Sequence, residues 1–95
     1  MTHASPGDCK KRRARQRIVE LIASVGEPEA RAILADIGDG PANNMFDAVA
    51  ATEAARKMLM ARQPRRVIAY HLADRYQVGV STAYRRIEDA LAEPF

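Results

Sequence analysis

The sequence predicts an all-α fold of about five helices, and three observations carry that prediction. Apolar residues recur at helical spacing in successive segments, Gly or Pro punctuates each segment, and alternating strand patterns are rare. Hydrophobic residues make up 47% of the 95-residue chain, much of that alanine, and aromatics only 5%, a mixture suited to closely packed helices. Asp39-Gly40, a hairpin dipeptide by composition, runs straight into Pro41 with no alternating runs beside it.

Residues 1–9 contain Ser5, Pro6 and Gly7 and few apolar groups, which reads as a loose tail. A first helix is expected from about Lys10 to Val25, with Ile18, Ile22 and Val25 on one stripe and Leu21 beside them. Gly26 stands where a helix end wants a left-handed residue. Pro28 suits the first position of a short second helix bearing Ile33, Leu34 and Ile37, which Gly38, Asp39 and Gly40 end. Pro41 opens a third helix to about Arg62, striped by Met45, Val49, Thr52 and Leu59 and bordered by Phe46 and Met58. Such a helix spans roughly 30 Å, long for a small domain and a natural dimer element as well as a plain core helix. Pro64 restarts the pattern. The fourth helix, about Pro64 to Tyr76, has Ile68, Leu72 and Tyr76 on one face with Ala69 and Ala73 beside them. A turn at Gln77 to Gly79 leads to the fifth, about Val80 to Ala92, with Ala83, Ile87, Ala90 and Leu91 inward. The expected organisation is a tail over 1–9, a helical dimerisation region over 10–62 and a two-helix reader over 63–95.

A chain of this length is one domain by size and buries only roughly 60–65% of its unfolded surface, so dimerisation would supply missing burial. Cys9 is the only cysteine, which excludes an internal disulfide framework and a zinc cluster and fits a reduced, cytoplasmic setting. No uninterrupted apolar stretch follows the basic block near the N-terminus, so neither secretion nor membrane insertion is indicated.

The charge layout says more than the net +3. Residues 10–17 carry Lys10, Lys11, Arg12, Arg13, Arg15 and Arg17, a local +6. Residues 18–61 carry seven acids against Arg31, Arg56 and Lys57, a local −4. Residues 62–87 carry Arg62, Arg65, Arg66, Arg75, Arg85 and Arg86 against Asp74 alone, a local +5. Two basic ends flank an acidic middle, so an anionic polymer could touch both ends.

Spacing in the last two helices is the most informative feature. Ala73 supplies the small residue needed where a second helix crosses the first. Val78, five residues on, is placed to plug the turn, and Ala83, five further, gives a small inward residue followed one turn later by Ile87. These are the requirements of a helix-turn-helix. The stretch from Leu72-Ala73 through Val78-Gly79-Val80-Ser81-Thr82-Ala83-Tyr84-Arg85-Arg86-Ile87 resembles the helix-turn-helix of bacterial DNA invertases and resolvases and of many phage and plasmid regulators. Gln63-Pro64-Arg65-Arg66 is similar to the invertase segment leading into that motif. The resemblance covers about a quarter of the chain and implies sequence-specific binding of double-stranded DNA, but it does not extend to residues 1–60, which are too few for a recombinase catalytic domain. Two residues depart from the pattern: Gln77 stands where glycine is usual, so the turn must accept a side chain at positive φ, and Gly79 replaces the usual Ser/Thr N-cap.

At ~100° per residue, inward Ala83, Ile87, Ala90 and Leu91 leave Arg85 and Ser81 pointing outward, Thr82 and Glu88 on either side and Tyr84 and Arg86 at the borders. Arg85 is then placed for guanine, Ser81 lets the helix approach base edges, and Tyr84 and Arg86 suit phosphates. Val80, at the start of that helix, completes the candidate DNA-binding set with Arg65, Arg66, Ser81, Thr82, Tyr84, Arg85 and Arg86. Glu88, Asp89 and Glu93 lie beyond, where they would avoid the phosphates. Arg65 and Arg66 oppose the macrodipole in the first turn of their helix, a cost a bound phosphate would reverse. Lys10, Lys11, Arg12 and Arg13 are a candidate DNA arm or equally the solvated start of the first helix.

Enzyme readings find no support. His3, His71 and Cys9 form no nucleophile–base pair or metal spacing, Asp36 and Asp39 no calcium loop, and Gly38-x-Gly40 no phosphate loop. No catalytic residue, metal or cofactor is expected. The expectation is therefore a cytoplasmic, nucleoid-associated DNA-binding protein of bacterial, phage or plasmid origin, a homodimeric transcription regulator with RNA polymerase as a candidate further partner. Its layout, helical dimer first and reader last, is similar to small phage activators of the Mor type. A DNA-packaging factor like a terminase small subunit, or a partition factor, keeps the DNA but changes the task. A protein-interaction adaptor acting on a polymerase, with the acidic middle as its working surface, is the reading from another class.

Overall fold

A computed structural model describes residues 6–92, with side chains described from residue 11 onward. The fold is all-α. Five helices follow in order: α1 Pro6–Val25, α2 Glu27–Ile37, α3 Gly40–Met60, α4 Arg65–Tyr76 and α5 Val80–Ala92. Among the described residues there is no strand, and no helix is long and apolar enough to cross a membrane. The helix α1 starts four residues ahead of the expected Lys10, so residues 6–9 of the expected loose tail form its first turn; residues 1–5 lie outside the described residues.

Three helix ends share one device. Gly38 at φ 71° ends α2, its amide donating to Ala35 at 3.2 Å while the Asp39 amide donates to Leu34 at 3.1 Å. Arg62 at φ 62° does the same for α3, with Arg62 N–H on Leu59 and Gln63 N–H on Met58, both at 3.0 Å. Gln77 at φ 55° closes α4. A left-handed residue followed by an amide bonded five residues back satisfies the last carbonyls of a helix. Gly26, at φ 87° and ψ 165°, is the whole link between α1 and α2: its amide donates to Ile22 and its carbonyl accepts from Ala30. That backbone region belongs to glycine.

The chain divides into two compact units, residues up to Ala50 and residues from Ala51. The boundary therefore falls inside α3 rather than at the expected 62/63, because the second half of α3 packs into the core of the C-terminal unit.

In the first unit α1 packs on α2, and Ala14, Ile18, Ala30, Leu34, Ala42, Phe46, Val49 and Ala50 are buried. The residue at the centre of the α3 stripe is Phe46, 1% exposed, not Met45, which is half-buried; Phe46 had been expected only at the border. Val25 and Ile37, expected on apolar stripes, lie exposed at the ends of their helices. Asp39 joins the elements: its Oδ1 accepts the Ala42 N–H at 3.2 Å and caps α3, while its Oδ2 accepts the Arg17 Nε–H at 2.7 Å. Arg31 lies over the Phe46 ring at 4.4 Å and pairs with Asp47.

In the second unit one cluster holds Ala51 and Ala55 of α3, Ile68, Ala69 and Leu72 of α4, and Ala83, Ile87 and Ala90 of α5. Ala54, Met58, Leu59, Ala73, Tyr76 and Val78 pack around it. Alanines where the helices meet let the backbones approach, and three large aliphatics, Ile68, Leu72 and Ile87, fill the space left. The second half of α3 thus gives its Ala51, Ala54, Ala55, Met58 and Leu59 to this core, while Met60 is exposed.

Candidate nucleic-acid interface

The α4–turn–α5 segment carries the candidate site residues. The Val78 amide donates to the Ala73 carbonyl at 3.1 Å, and the Gln77 amide also donates to Ala73. Gln77 pays for its left-handed backbone locally, since its Nε2 donates to the Asp74 carbonyl at 2.6 Å and satisfies an acceptor the helix end leaves open. Val78, carried by this turn, packs against the Ile68/Leu72/Ile87 cluster as expected of a plug. The helix α5 begins with the Ala83 amide donating to the Gly79 carbonyl at 3.0 Å, and Gly79 brings no side-chain cap.

Burial fixes the rotation of α5. Ala83, Ile87 and Ala90 are buried, and Ser81, Arg85 and Glu88 are exposed on the opposite side. Val80 and Tyr84 are exposed at 37% and 38%, so each offers part of its apolar surface to a partner. Thr82 is half-buried. Leu91, expected inward, is 52% exposed. The physical reason is angular: the buried direction is centred between Ile87 and Ala83–Ala90, and Leu91 lies about 70° off it at ~100° per residue.

Arg86 differs from its neighbour. Its side chain is half-buried and Nη1 reaches Asp89 Oδ2 at 3.2 Å, one turn along the helix. Asp89 had been expected to stand clear of the phosphate-facing surface; instead it holds a cation assigned to that surface. The signal was available in the i, i+3 spacing of Arg86 and Asp89.

Arg65 and Arg66 are exposed in the first turn of α4. The N-cap there is Pro64, extended at φ −61° and ψ 143°, with no side-chain cap and no acid in the first turn. Among the described residues, that helix end therefore carries two cations and no side-chain cap for its first amides. Val67 and Tyr70 are also exposed on α4, at 48% and 57%, on the side away from the buried Ile68/Leu72 stripe. Arg75 lies over the Tyr76 ring at 5.6 Å.

Lys11, Arg12 and Arg13 are exposed on α1, within regular helix rather than an extended arm; the side chain of Lys10 lies outside those described. His71 is exposed on α4, and His3 and Cys9 lie outside the described side chains. Among the described residues no group of three or more His, Cys, Asp or Glu is arranged to hold a metal ion.

No protein-family model, curated protein or solved structure matches the chain.

Proposed function

We propose that this protein binds double-stranded DNA through α4 and α5, acting as a helix-turn-helix reader with α5 in the major groove. One observation carries the reading: α5 is locked against the core by Ala83 and Ile87, 0% and 1% exposed, and turns Ser81 and Arg85 outward. A rigid helix with a small residue and an exposed guanidinium on its free face fits a groove about 12 Å wide. Arg85 would bond guanine O6 and N7, a contact that contributes about 1–3 kcal/mol of discrimination. Val80 and the Thr82 methyl suit thymine methyl groups, and Tyr84 and Arg86 suit phosphates at the groove walls. The uncapped start of α4 with Arg65 and Arg66 suits a backbone phosphate, where amides, dipole and cations act in the same direction.

In this reading the protein regulates transcription as a homodimer, whose two α5 helices reach half-sites about one helical turn apart, and it has no enzymatic activity. Selection from a randomised duplex pool tests it. The wild type enriches a two-fold-related pair of half-sites, and Arg85→Ala enriches a site degenerate at one or two guanines. A pool that stays random after selection by the wild type contradicts sequence-specific binding.

A further inference from the structure

We propose that the basic face of α1 is a second duplex-binding surface, contacting backbone phosphates without reading sequence. The proposal rests on the DNA-binding reading for the choice of polymer, but its residues belong to the other compact unit.

Charge density points to a polyanion. Residues 10–17 occupy about 12 Å of helix at 1.5 Å each. Six cations fall in that length, with no acid between Asp8 and Glu20. Leaving out Arg17, which bonds Asp39, five cations fall over residues 10–15, about 9 Å of helix or one positive charge per ~2 Å, against one negative charge per ~1.7 Å of duplex axis. The arrangement is unfavourable for the isolated helix. Lys11 with Arg15, and Arg13 with Arg17, are like charges four residues apart, each repelling by about 0.2–0.5 kcal/mol.

Elsewhere in this unit cations meet acids: Arg17 bonds Asp39 and Arg31 bonds Asp47. Lys11, Arg12 and Arg13 are exposed without such a partner among the described residues. On the wheel Ala14 and Ile18 point inward, so Arg12 and Gln16 point outward, with Arg13 beside them. The wholly buried Ala14 and Ile18 also decide against a membrane surface. An interfacial helix inserts its apolar face into the bilayer, and here that face is already covered. What remains is charge alone, which suits a phosphate backbone.

Two phosphate-binding units on one chain raise affinity and salt sensitivity without adding sequence preference. The test is the full-length triple variant Lys11→Gln/Arg12→Gln/Arg13→Gln, titrated with the wild type's selected duplex across a salt series. Each lost phosphate contact lowers the slope of log K against log salt by about 0.9, so a loss of two to three units is expected, with the selected sequence unchanged. Gln16→Lys, which adds a cation to the same face, should steepen the slope by about one and guards against a fold defect in the triple variant. Unchanged slopes in both variants overturn the proposal, even where Arg85→Ala still relaxes preference at one or two guanines. A triple variant that loses affinity only for single-stranded RNA also overturns it. If Arg85→Ala and Arg66→Ala change nothing while the triple variant loses its slope, the α1 surface stands and the helix-turn-helix reading falls.

Discussion

The amide of Val78 donates to the carbonyl of Ala73 across 3.1 Å, and this one bond both ends α4 and sets the plug of the turn against the core. It forms only because Gln77 takes a left-handed backbone at φ 55° and ψ 49°. For a residue with a Cβ that conformation costs about 1–2 kcal/mol, part of which the Nε2 bond to Asp74 offsets.

Glycine and alanine at position 77 should therefore separate clearly. Gln77→Gly removes the conformational cost together with the side-chain bond and should leave stability within about 0.5 kcal/mol of the wild type or above it. Gln77→Ala keeps the cost and loses the bond, and should be less stable than the glycine variant by about 1 kcal/mol. Urea unfolding of the two variants measures this difference.

Close approach of the helices at Ala83 predicts intolerance to size. Ala83 is fully buried between α5 and its partners, so Ala83→Leu should destabilise by about 1–3 kcal/mol through overpacking. Ser81→Leu, on the exposed side of the same helix, should change stability by less than about 0.5 kcal/mol. Thermal unfolding distinguishes them, and equal losses would mean that α5 is rotated from the orientation described.

The Arg86–Asp89 pair predicts a gain of binding. Half-exposed pairs one turn apart contribute only about 0.3–0.5 kcal/mol, so Asp89→Asn should cost little stability. It frees Arg86 and removes a negative charge from the helix that carries Arg85. Affinity for unselected duplex should rise several-fold and the salt dependence should steepen. Fluorescence anisotropy with a random duplex reads both, and weaker binding by Asp89→Asn would mean that the pair positions Arg86 productively.

In the first unit Phe46 is the largest fully buried side chain, and Arg31 covers its ring at 4.4 Å. Phe46→Ala should cost about 3–5 kcal/mol, and Arg31→Ala about 0.5–1 kcal/mol through the lost cation–π contact. Helicity followed by circular dichroism against temperature checks the order of the two effects.

Much of this was legible in the residues because helix patterns are local. Gly26, Gly38, Pro41 and Pro64 mark ends that the structure places within a residue or two, and α5 matches its expected span. The unit boundary was not legible, because α3 reads as one continuous amphipathic run while its two halves serve different cores. Asp39 reads in the sequence as a helix stop; its role as cap of α3 is local, while its bond to Arg17 joins residues 22 apart in sequence. Leu91 shows that an apolar residue close to a buried stripe need not belong to it, since it sits about 70° from the buried direction of α5 and is exposed. For the candidate site, the exposure of Ser81, Arg85, Arg65 and Arg66 follows from periodicity, while the pairing of Arg86 with Asp89 is offered by their i, i+3 spacing but not chosen by it over other arrangements of two exposed side chains.

The most direct test of the central claim is the affinity of the full chain for duplex DNA between low and physiological salt, for the wild type, Arg66→Ala and Arg85→Ala. The expected result is a log K that falls linearly with log salt by several units of slope, a slope about one unit shallower for Arg66→Ala, and for Arg85→Ala a loss of preference at one or two guanines of the selected sequence with little change in slope. A wild type that binds no duplex at low salt, or slopes identical in all three proteins with sequence preference intact in Arg85→Ala, would contradict it.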